Sequence, residues 1–105
     1  MDNFKAIYKI LRLLDRNNGR EDFSYESISA KAVGMSYERW EQLMIELQLN
    51  GFIRGLVVDQ TLSDKFPHIV EPIRPAITLK GMEYLSENSA MGKAKEALKM
   101  IGEIL

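Results

Sequence analysis

Three short segments of this chain share a residue pattern that marks the start of a helix. Each has a hydroxyl residue, an apolar residue directly before it and a second apolar residue four positions after it. The segments are Phe23–Ser24–Ile28, Met35–Ser36–Trp40 and Ile77–Thr78–Met82. In each, the hydroxyl can accept a hydrogen bond from a free backbone N–H, and the apolar pair can close over the turn. Three helix boundaries follow from these matches.

The first two boundaries predict two helices joined by a short turn. One helix runs from about Tyr25 to Ala32, and Gly34 ends it. The next runs from about Tyr37 to Leu49. Trp40 and Leu47 fall within one arc of this helix, so we expect them to face the core. This stretch therefore predicts a helix-turn-helix.

A β-hairpin is predicted to follow directly. Phe52 to Val58 is apolar and β-branched, which favours a strand, and Asp59 to His68 is typical of a loop. Residues 69–77 suggest a return strand. Pro72 and Pro75 cannot donate ladder hydrogen bonds, so we expect that strand to be short, bulged or at an edge. A helix-turn-helix that runs into a hairpin is a winged helix.

Helices are also predicted at both ends of the chain. Apolar residues at helical spacing, from Phe4 to Leu14, form one face of a first helix that ends at residues 17–19. Another helix starts after Thr78, with a break or kink at Asn88 and Ser89, and a last amphipathic helix follows. The predicted fold class is α+β, mostly α: a winged helix-turn-helix with a two- or three-stranded β wing and an added C-terminal helix. Residues 1–88 form the winged-helix domain, and residues 89–105 are a helical extension of it.

Composition excludes several classes of protein. The chain has no cysteine, so it has no disulfide, thiolate zinc site or cysteine nucleophile. No apolar run approaches the roughly 20 residues of a membrane span, and the first residues lack the order of a signal peptide. We therefore expect a cytoplasmic protein that does not bind membranes. The net charge is −1, so no global field attracts nucleic acid.

Catalysis is not indicated. The single histidine, His68, has no serine or carboxylate partner by motif, and a solvated loop residue is its plain interpretation. The segment Gly51 to Gly55 is not a phosphate loop, because no helix follows its glycines. No metal-ligand spacing is present. We expect no enzyme activity, no cofactor and no small-molecule substrate.

The third helix is the candidate for binding double-stranded DNA. In a winged helix its N-terminal half and outward face enter the major groove. Arg39 and Gln42 suit guanine and adenine edges, and Ser36 and Tyr37 can donate to a phosphate. Three carboxylates on the same helix oppose this interpretation, because they repel a polyanion. They are Glu38, Glu41 and Glu46, which we expect to point outward or to the flanks.

Further basic groups could hold phosphates. In the wing, Lys65 and His68 can lie along the DNA backbone, although acidic residues dilute the positive charge. On the first helix, basic residues at helical spacing form a stripe that is either a solvated face or a second contact with the backbone. The stripe consists of Lys5, Lys9, Arg12 and Arg16.

A protein interface is the alternative to DNA binding. Ile45 and Leu49 are neighbours on the outward side of the third helix. Either they are buried under the C-terminal helix or the wing, or they form a subunit contact. The last helix has an apolar stripe that can pack on its own domain or pair with its copy in a homodimer. Its candidate interface residues are Leu98, Ile101 and Leu105.

Three segments resemble the YjcQ-like family of small winged-helix proteins from Bacillus-type bacteria and their phages. They are Phe4 to Leu11, Asn50 to Ile53, and Ile77 to Ser89. The last is the most specific, although an Ile-Thr-x-x-Gly-x-x-Tyr-Leu run follows the wing in many winged helices. The resemblance spans roughly residues 3–105. It implies the fold, and it brings neither catalytic residues nor an established activity.

Two functional hypotheses result. The first is a winged-helix DNA-binding protein, as a small phage-type transcriptional regulator. The second is a protein-interaction or dimerisation module on the same scaffold, without DNA binding. The fold alone does not choose between them, because one scaffold hosts many functions.

Overall fold

The computed structural model describes residues 3–89. In this range, α1 (Asn3–Arg16) is followed by a 3₁₀ helix (Tyr25–Ile28), α2 (Ala30–Val33) and α3 (Tyr37–Leu49). The strands are β1 (Ile53–Arg54), β2 (Val57–Asp59), β3 (His68–Val70) and β4 (Ala76–Ile77). Residues 79–89 are helical and are named α4. The predicted last helix, with Leu98, Ile101 and Leu105, lies outside the described residues. Within residues 3–89, no helix is both long and apolar enough to cross a membrane.

The strands form two small antiparallel sheets. β1 pairs with β4, with Ile53 opposite Ile77. β2 pairs with β3, with Val58 opposite Ile69. We use the name wing for residues 57–70, which comprise β2, β3 and the loop between them. The order of these elements confirms the predicted α+β, mostly helical fold, with a winged helix-turn-helix layout.

Two of the three predicted caps form as expected. The Ser36 hydroxyl accepts a hydrogen bond from the Arg39 N–H, at 3.4 Å, where α3 begins. The Thr78 hydroxyl accepts one from the Gly81 N–H, at 3.1 Å, where α4 begins. These bonds satisfy backbone donors that have no partner inside the helix.

The third predicted cap, at Ser24, is wrong, and so is the single helix that was expected after it. The Ser24 side chain makes no cap hydrogen bond. Ser29 has extended backbone angles and accepts from the Ala32 N–H, at 3.2 Å. It therefore ends the 3₁₀ turn and starts α2, because an N-cap residue cannot continue the helix before it.

The predicted strand from Phe52 to Val58 is also interrupted. Gly55 has a φ of +96°, in the left-handed region that favours glycine, and it separates β1 from β2. On the return side, residues 71–75 separate β3 from β4 and contain both prolines. The expected short strand is confirmed, since Pro72 and Pro75 stay outside the ladders.

Asn88 and Ser89, where a break or kink was predicted, are both helical and are the last two described residues. Their side chains bond back to carbonyls of the preceding turn. The Asn88 amide donates to the Tyr84 carbonyl at 2.8 Å, and the Ser89 hydroxyl donates to the Ser86 carbonyl at 3.0 Å. These contacts satisfy side chains that can otherwise compete with the helical backbone.

One core holds the helices and the hairpin together. Trp40 is buried, and its indole N–H donates to the Ile28 carbonyl at 2.9 Å, which ties α3 to the 3₁₀ helix. Phe4 is an exception to the predicted apolar face of α1, because it is mostly exposed. The core residues include Ile10, Leu11, Leu14, Ile28, Val33, Trp40, Met44, Ile45, Leu47, Ile53, Ile69 and Ile77.

The ends of the hairpin close on each other beside α4. The Thr78 hydroxyl donates to the Gly51 carbonyl, and the Thr78 N–H donates to the Phe52 carbonyl at 3.1 Å. A Cβ on Gly81 would lie only 2.3 Å from the Phe52 oxygen. The glycine therefore lets α4 approach the chain where β1 begins. Two of the segments that carry the family resemblance meet at this junction.

Candidate nucleic-acid interface

The first turn of α3 presents a polar, exposed surface. Tyr37, Glu38 and Arg39 are exposed directly after the Ser36 cap. The Ser36 oxygen accepts from the Arg39 N–H, so its own hydroxyl hydrogen is still available as a donor. Arg39 therefore offers its guanidinium to the outside, beside a hydroxyl that suits a phosphate.

Glu41 was predicted to point outward or to the flanks, but it is buried. It is only 4% exposed, and three donors surround its carboxylate. Oε2 accepts from the Ile69 backbone N–H at 3.0 Å and from the Tyr37 hydroxyl at 3.3 Å. Oε1 lies 2.9 Å from Nδ1 of His68. Because these partners satisfy the carboxylate, it can be buried between α3 and the wing.

His68 is therefore not the solvated loop residue that its sequence context suggested. It begins β3, forms an ion pair with Glu41, and keeps its side chain 55% exposed. Its pKa is raised, first by the hydrogen bond with Glu41 and also by the charges of Glu41 and Asp64, while loss of hydration acts in the opposite direction. His68 thus connects the wing to α3 and still reaches solvent.

Gln42, the predicted adenine reader, also contacts the wing. It is half-buried, and its side-chain Nε2 donates to the Pro67 carbonyl at 2.9 Å. Further along α3, the Gln48 amide forms a pair of bonds with Leu56. It donates to the Leu56 carbonyl at 3.0 Å and accepts from the Leu56 N–H at 2.8 Å.

Glu41, Gln42 and Gln48 therefore bind backbone groups of the hairpin segment much as a neighbouring strand would. Sequence reasoning missed this role. A usable signal was present, because residues 41 and 48 are seven apart and lie on the same side of a helix. The partners, however, are backbone groups that come later in the chain and have no sequence signature.

The tip of the wing carries the predicted phosphate ligand, Lys65. Its ammonium lies 5.8 Å from the centre of the exposed Phe66 ring. The turn before it is ordered by the Thr61 N–H, which donates to Asp64 Oδ2 at 3.0 Å. This bond lowers the pKa of Asp64, so a negative charge remains beside Lys65 at neutral pH.

Ile45 and Leu49 have different environments. Ile45 is 5% exposed and belongs to the core, so the prediction that it belongs to a surface interface is wrong. The sequence also allowed Ile45 to be buried under the C-terminal helix or the wing, and its burial agrees with that alternative. Leu49, one turn later, is 74% exposed and remains a candidate for a protein contact.

The basic stripe of α1 is exposed along its length, but two of its members have contacts within the protein. Lys9 donates to the Ala32 carbonyl at 3.0 Å. Arg12 donates to the Tyr8 hydroxyl at 3.2 Å. No described hydrogen bond or ion pair connects this stripe with residues 65–68 of the wing.

Residues 8–104 match a family model, described as YjcQ protein. The matched range contains α3 and all four described strands, and thus every residue of the candidate surface. No curated protein and no solved structure matches the chain.

Proposed function

The chain belongs to the YjcQ family, and we propose that it binds double-stranded DNA as a small transcriptional regulator. The binding surface is the exposed first turn of α3 together with the tip of the wing. In a winged helix these two elements lie side by side, with the helix in the major groove.

The observation that supports this proposal most is the attachment of the wing to α3. Glu41 accepts a hydrogen bond from the Ile69 N–H, and Gln42 donates one to the Pro67 carbonyl. These bonds attach the wing to α3, so Arg39 and Lys65 belong to one preorganised surface. A surface that is already ordered loses less conformational freedom on binding. Burial of Glu41 also removes one of the three carboxylates that would otherwise repel DNA.

Each residue of this surface has a proposed role. Arg39 contacts a guanine edge, since its planar guanidinium suits that pair of acceptors. Lys65 and the Ser36 hydroxyl contact phosphates and fix the position of the protein. Gln42 is a positioning residue for the wing, because the amide that would read adenine already binds Pro67.

A titration with short DNA duplexes at low and rising salt tests the proposal. Because the surface has two basic groups, Arg39 and Lys65, we expect log affinity to fall against log salt with a slope of about −2. Arg39→Glu should abolish binding. Arg20→Glu is the matched control, since Arg20 is exposed in the turn after α1 and forms an ion pair with Asp22 across 3.6 Å. Absence of duplex binding at low salt would overturn the proposal.

Exposed apolar side chains favour a second candidate function, a protein-interaction surface. Val57 and Val70 are opposite each other in the wing and both are exposed. Clustered exposed apolar residues mark contact sites more often than isolated ones do. The exposed apolar residues of α3 and the wing include Leu49, Val57, Leu62, Phe66 and Val70.

Sedimentation analysis distinguishes this second candidate. If α3 and the wing mediate self-association, Leu49→Asp should lower the measured mass to that of one chain. Leu79→Asp is the control, because Leu79 is a similarly exposed apolar residue at the start of α4. A mass that neither substitution changes would exclude self-association through Leu49.

A further inference from the structure

A cleft lies on another side of α3, away from the wing tip. Its volume is about 760 Å³. The 3₁₀ helix and α2 form one wall, the start of α3 forms a second, and the segment between β3 and β4 forms a third. Neither Arg39 nor Lys65 lines it. The cleft is therefore separate from the two basic groups of the proposed DNA surface.

Aromatic residues from two walls contribute to its lining. Tyr25, Tyr37 and Trp40 all contribute to it. The rings of Tyr37 and Trp40 are tilted against each other, with their centres 5.5 Å apart. Tyr37 is half-exposed, whereas Trp40 is almost fully buried behind it. The faces of such rings carry partial negative charge and attract cations.

Carboxylates outnumber basic groups in the same lining. Glu26 and Glu71 come from different walls, and Lys31 is the basic residue among the lining side chains. The buried Glu41 lies directly behind Tyr37 and bonds to its hydroxyl. Glu41 is paired with His68, so Glu26 and Glu71 supply the charge that a ligand in the cleft would meet.

We propose that this cleft binds a small organic cation, with an ammonium group against the aromatic rings and the Glu26 and Glu71 carboxylates. Aromatic rings beside carboxylates are the combination that recognises quaternary ammonium groups, because the ligand loses little hydration and gains contact with the ring faces. The open cleft accommodates an apolar body attached to the ammonium.

Two neighbouring carboxylates add to the effect of burial on the pKa of Tyr37. The pKa of the Tyr37 hydroxyl is raised, first by its burial, then by the charge and hydrogen bond of Glu41, and also by the charge of Glu71. Glu71 therefore lies close enough to act on the aromatic residue that borders the cleft.

The test uses choline chloride as the probe and the full chain at constant ionic strength, without DNA. Trp40 is the only tryptophan, so its fluorescence and its indole N–H resonance report directly on the cleft. We expect a saturable change in both signals. The neutral isostere 3,3-dimethylbutan-1-ol should bind about tenfold more weakly, because it has the same shape without the charge.

Three variants test whether choline binds through its charge or through apolar contacts alone. Tyr37→Leu and Glu71→Gln should each weaken choline binding by about fivefold or more. Tyr37→Phe should retain binding, because it keeps the ring. Glu83→Gln is the control, since Glu83 is an exposed acid on α4 outside the lining. Thermal melts check that each variant is folded.

The proposal is overturned if choline produces no saturable signal. It is also overturned if the alcohol binds as well as choline, or if Glu71→Gln leaves the affinity unchanged. None of these outcomes bears on DNA binding, which is measured separately through Arg39.

Discussion

Glu41 on α3 accepts a hydrogen bond from the backbone N–H of Ile69, 28 residues later in the chain, across 3.0 Å. This bond joins a helix side chain to the edge of β3, which already pairs with β2 on its other side. A carboxylate is rarely buried unless its oxygens are satisfied. The contact therefore fixes the distance between the two parts of the proposed DNA surface.

Removal of the Glu41 carboxylate should destabilise the fold. In Glu41→Ala, the buried Ile69 N–H loses its acceptor, and we expect the free energy of unfolding to fall by about 2 kcal/mol. Urea denaturation measures this loss. Glu38→Ala is the control, because Glu38 is exposed on the same helix and should change stability by less than about 0.5 kcal/mol. Equal effects of the two substitutions would mean that the Glu41 contacts contribute nothing.

The ion pair between His68 and Glu41 predicts a pH dependence of stability. The pKa of His68 in the folded chain is raised above its ordinary 6.5, first by the hydrogen bond with Glu41. Folding therefore favours the protonated imidazole. This stabilisation is complete below the unfolded-state pKa of about 6.5, and it is lost as pH rises through the higher folded-state value.

NMR titration of His68 checks the direction of this shift directly, because it is the only histidine in the chain. The stability difference between the natural chain and His68→Gln, measured in urea, should shrink as the pH rises through the same range. A titration midpoint at or below 6.5 would contradict the predicted protonated pair.

The contrast between Ser36 and Glu41 shows which features of the structure can be predicted from the sequence. The cap at Ser36 depends on residues within four positions, so local pattern identified the start of α3 correctly. Glu41 was expected to point outward or to the flanks because Trp40 and Leu47 were placed inward. Its burial depends on an N–H that the fold brings from β3, and no local pattern contains that information.

Gly81→Ala should destabilise the chain, although alanine is the better helix former. Helix propensity alone would stabilise α4 by about 1 kcal/mol. The added Cβ, however, would lie 2.3 Å from the Phe52 oxygen and 2.7 Å from Cγ1 of Ile77, so the junction must shift. We expect a net loss of about 2 kcal/mol in urea denaturation.

Ser86→Ala provides the comparison for this substitution. Ser86 is exposed on the same helix, so the change should be neutral or slightly stabilising. A Gly81→Ala variant that is more stable than the natural chain would show that α4 does not need the close approach.

Arg39 and Lys65 should differ in how they affect DNA binding. Arg39→Ala should weaken binding to a preferred sequence by about 1–3 kcal/mol and relax the preference, because a base contact is lost. Lys65→Ala should weaken all sequences alike and reduce the salt slope by about 1, because a phosphate contact is lost. Selection from a randomised duplex pool, followed by titration, measures both effects. Identical behaviour of the two variants would contradict the assigned roles.

Gln42 and Ile45 mark the limit of predicting the candidate site from sequence. Periodicity located α3 and its buried arc around Trp40, but it placed both residues on the outward side. Gln42 is half-buried because the Pro67 carbonyl reaches it, and Ile45 belongs to the core that the hairpin covers. A helical wheel gives the direction of each side chain around the helix axis. It does not show how much of the helix surface the wing covers.

The junction of Gly51 and Phe52 with Thr78 brings both ends of the intervening segment to one place. The segment therefore leaves the scaffold and returns to the same place. The hydrogen bonds that anchor its two ends do not depend on its length. We therefore expect insertions or deletions between residues 60 and 66 to leave the scaffold undisturbed. A side chain at Gly81, by contrast, would meet the backbone oxygen of Phe52, which no substitution at Phe52 can remove.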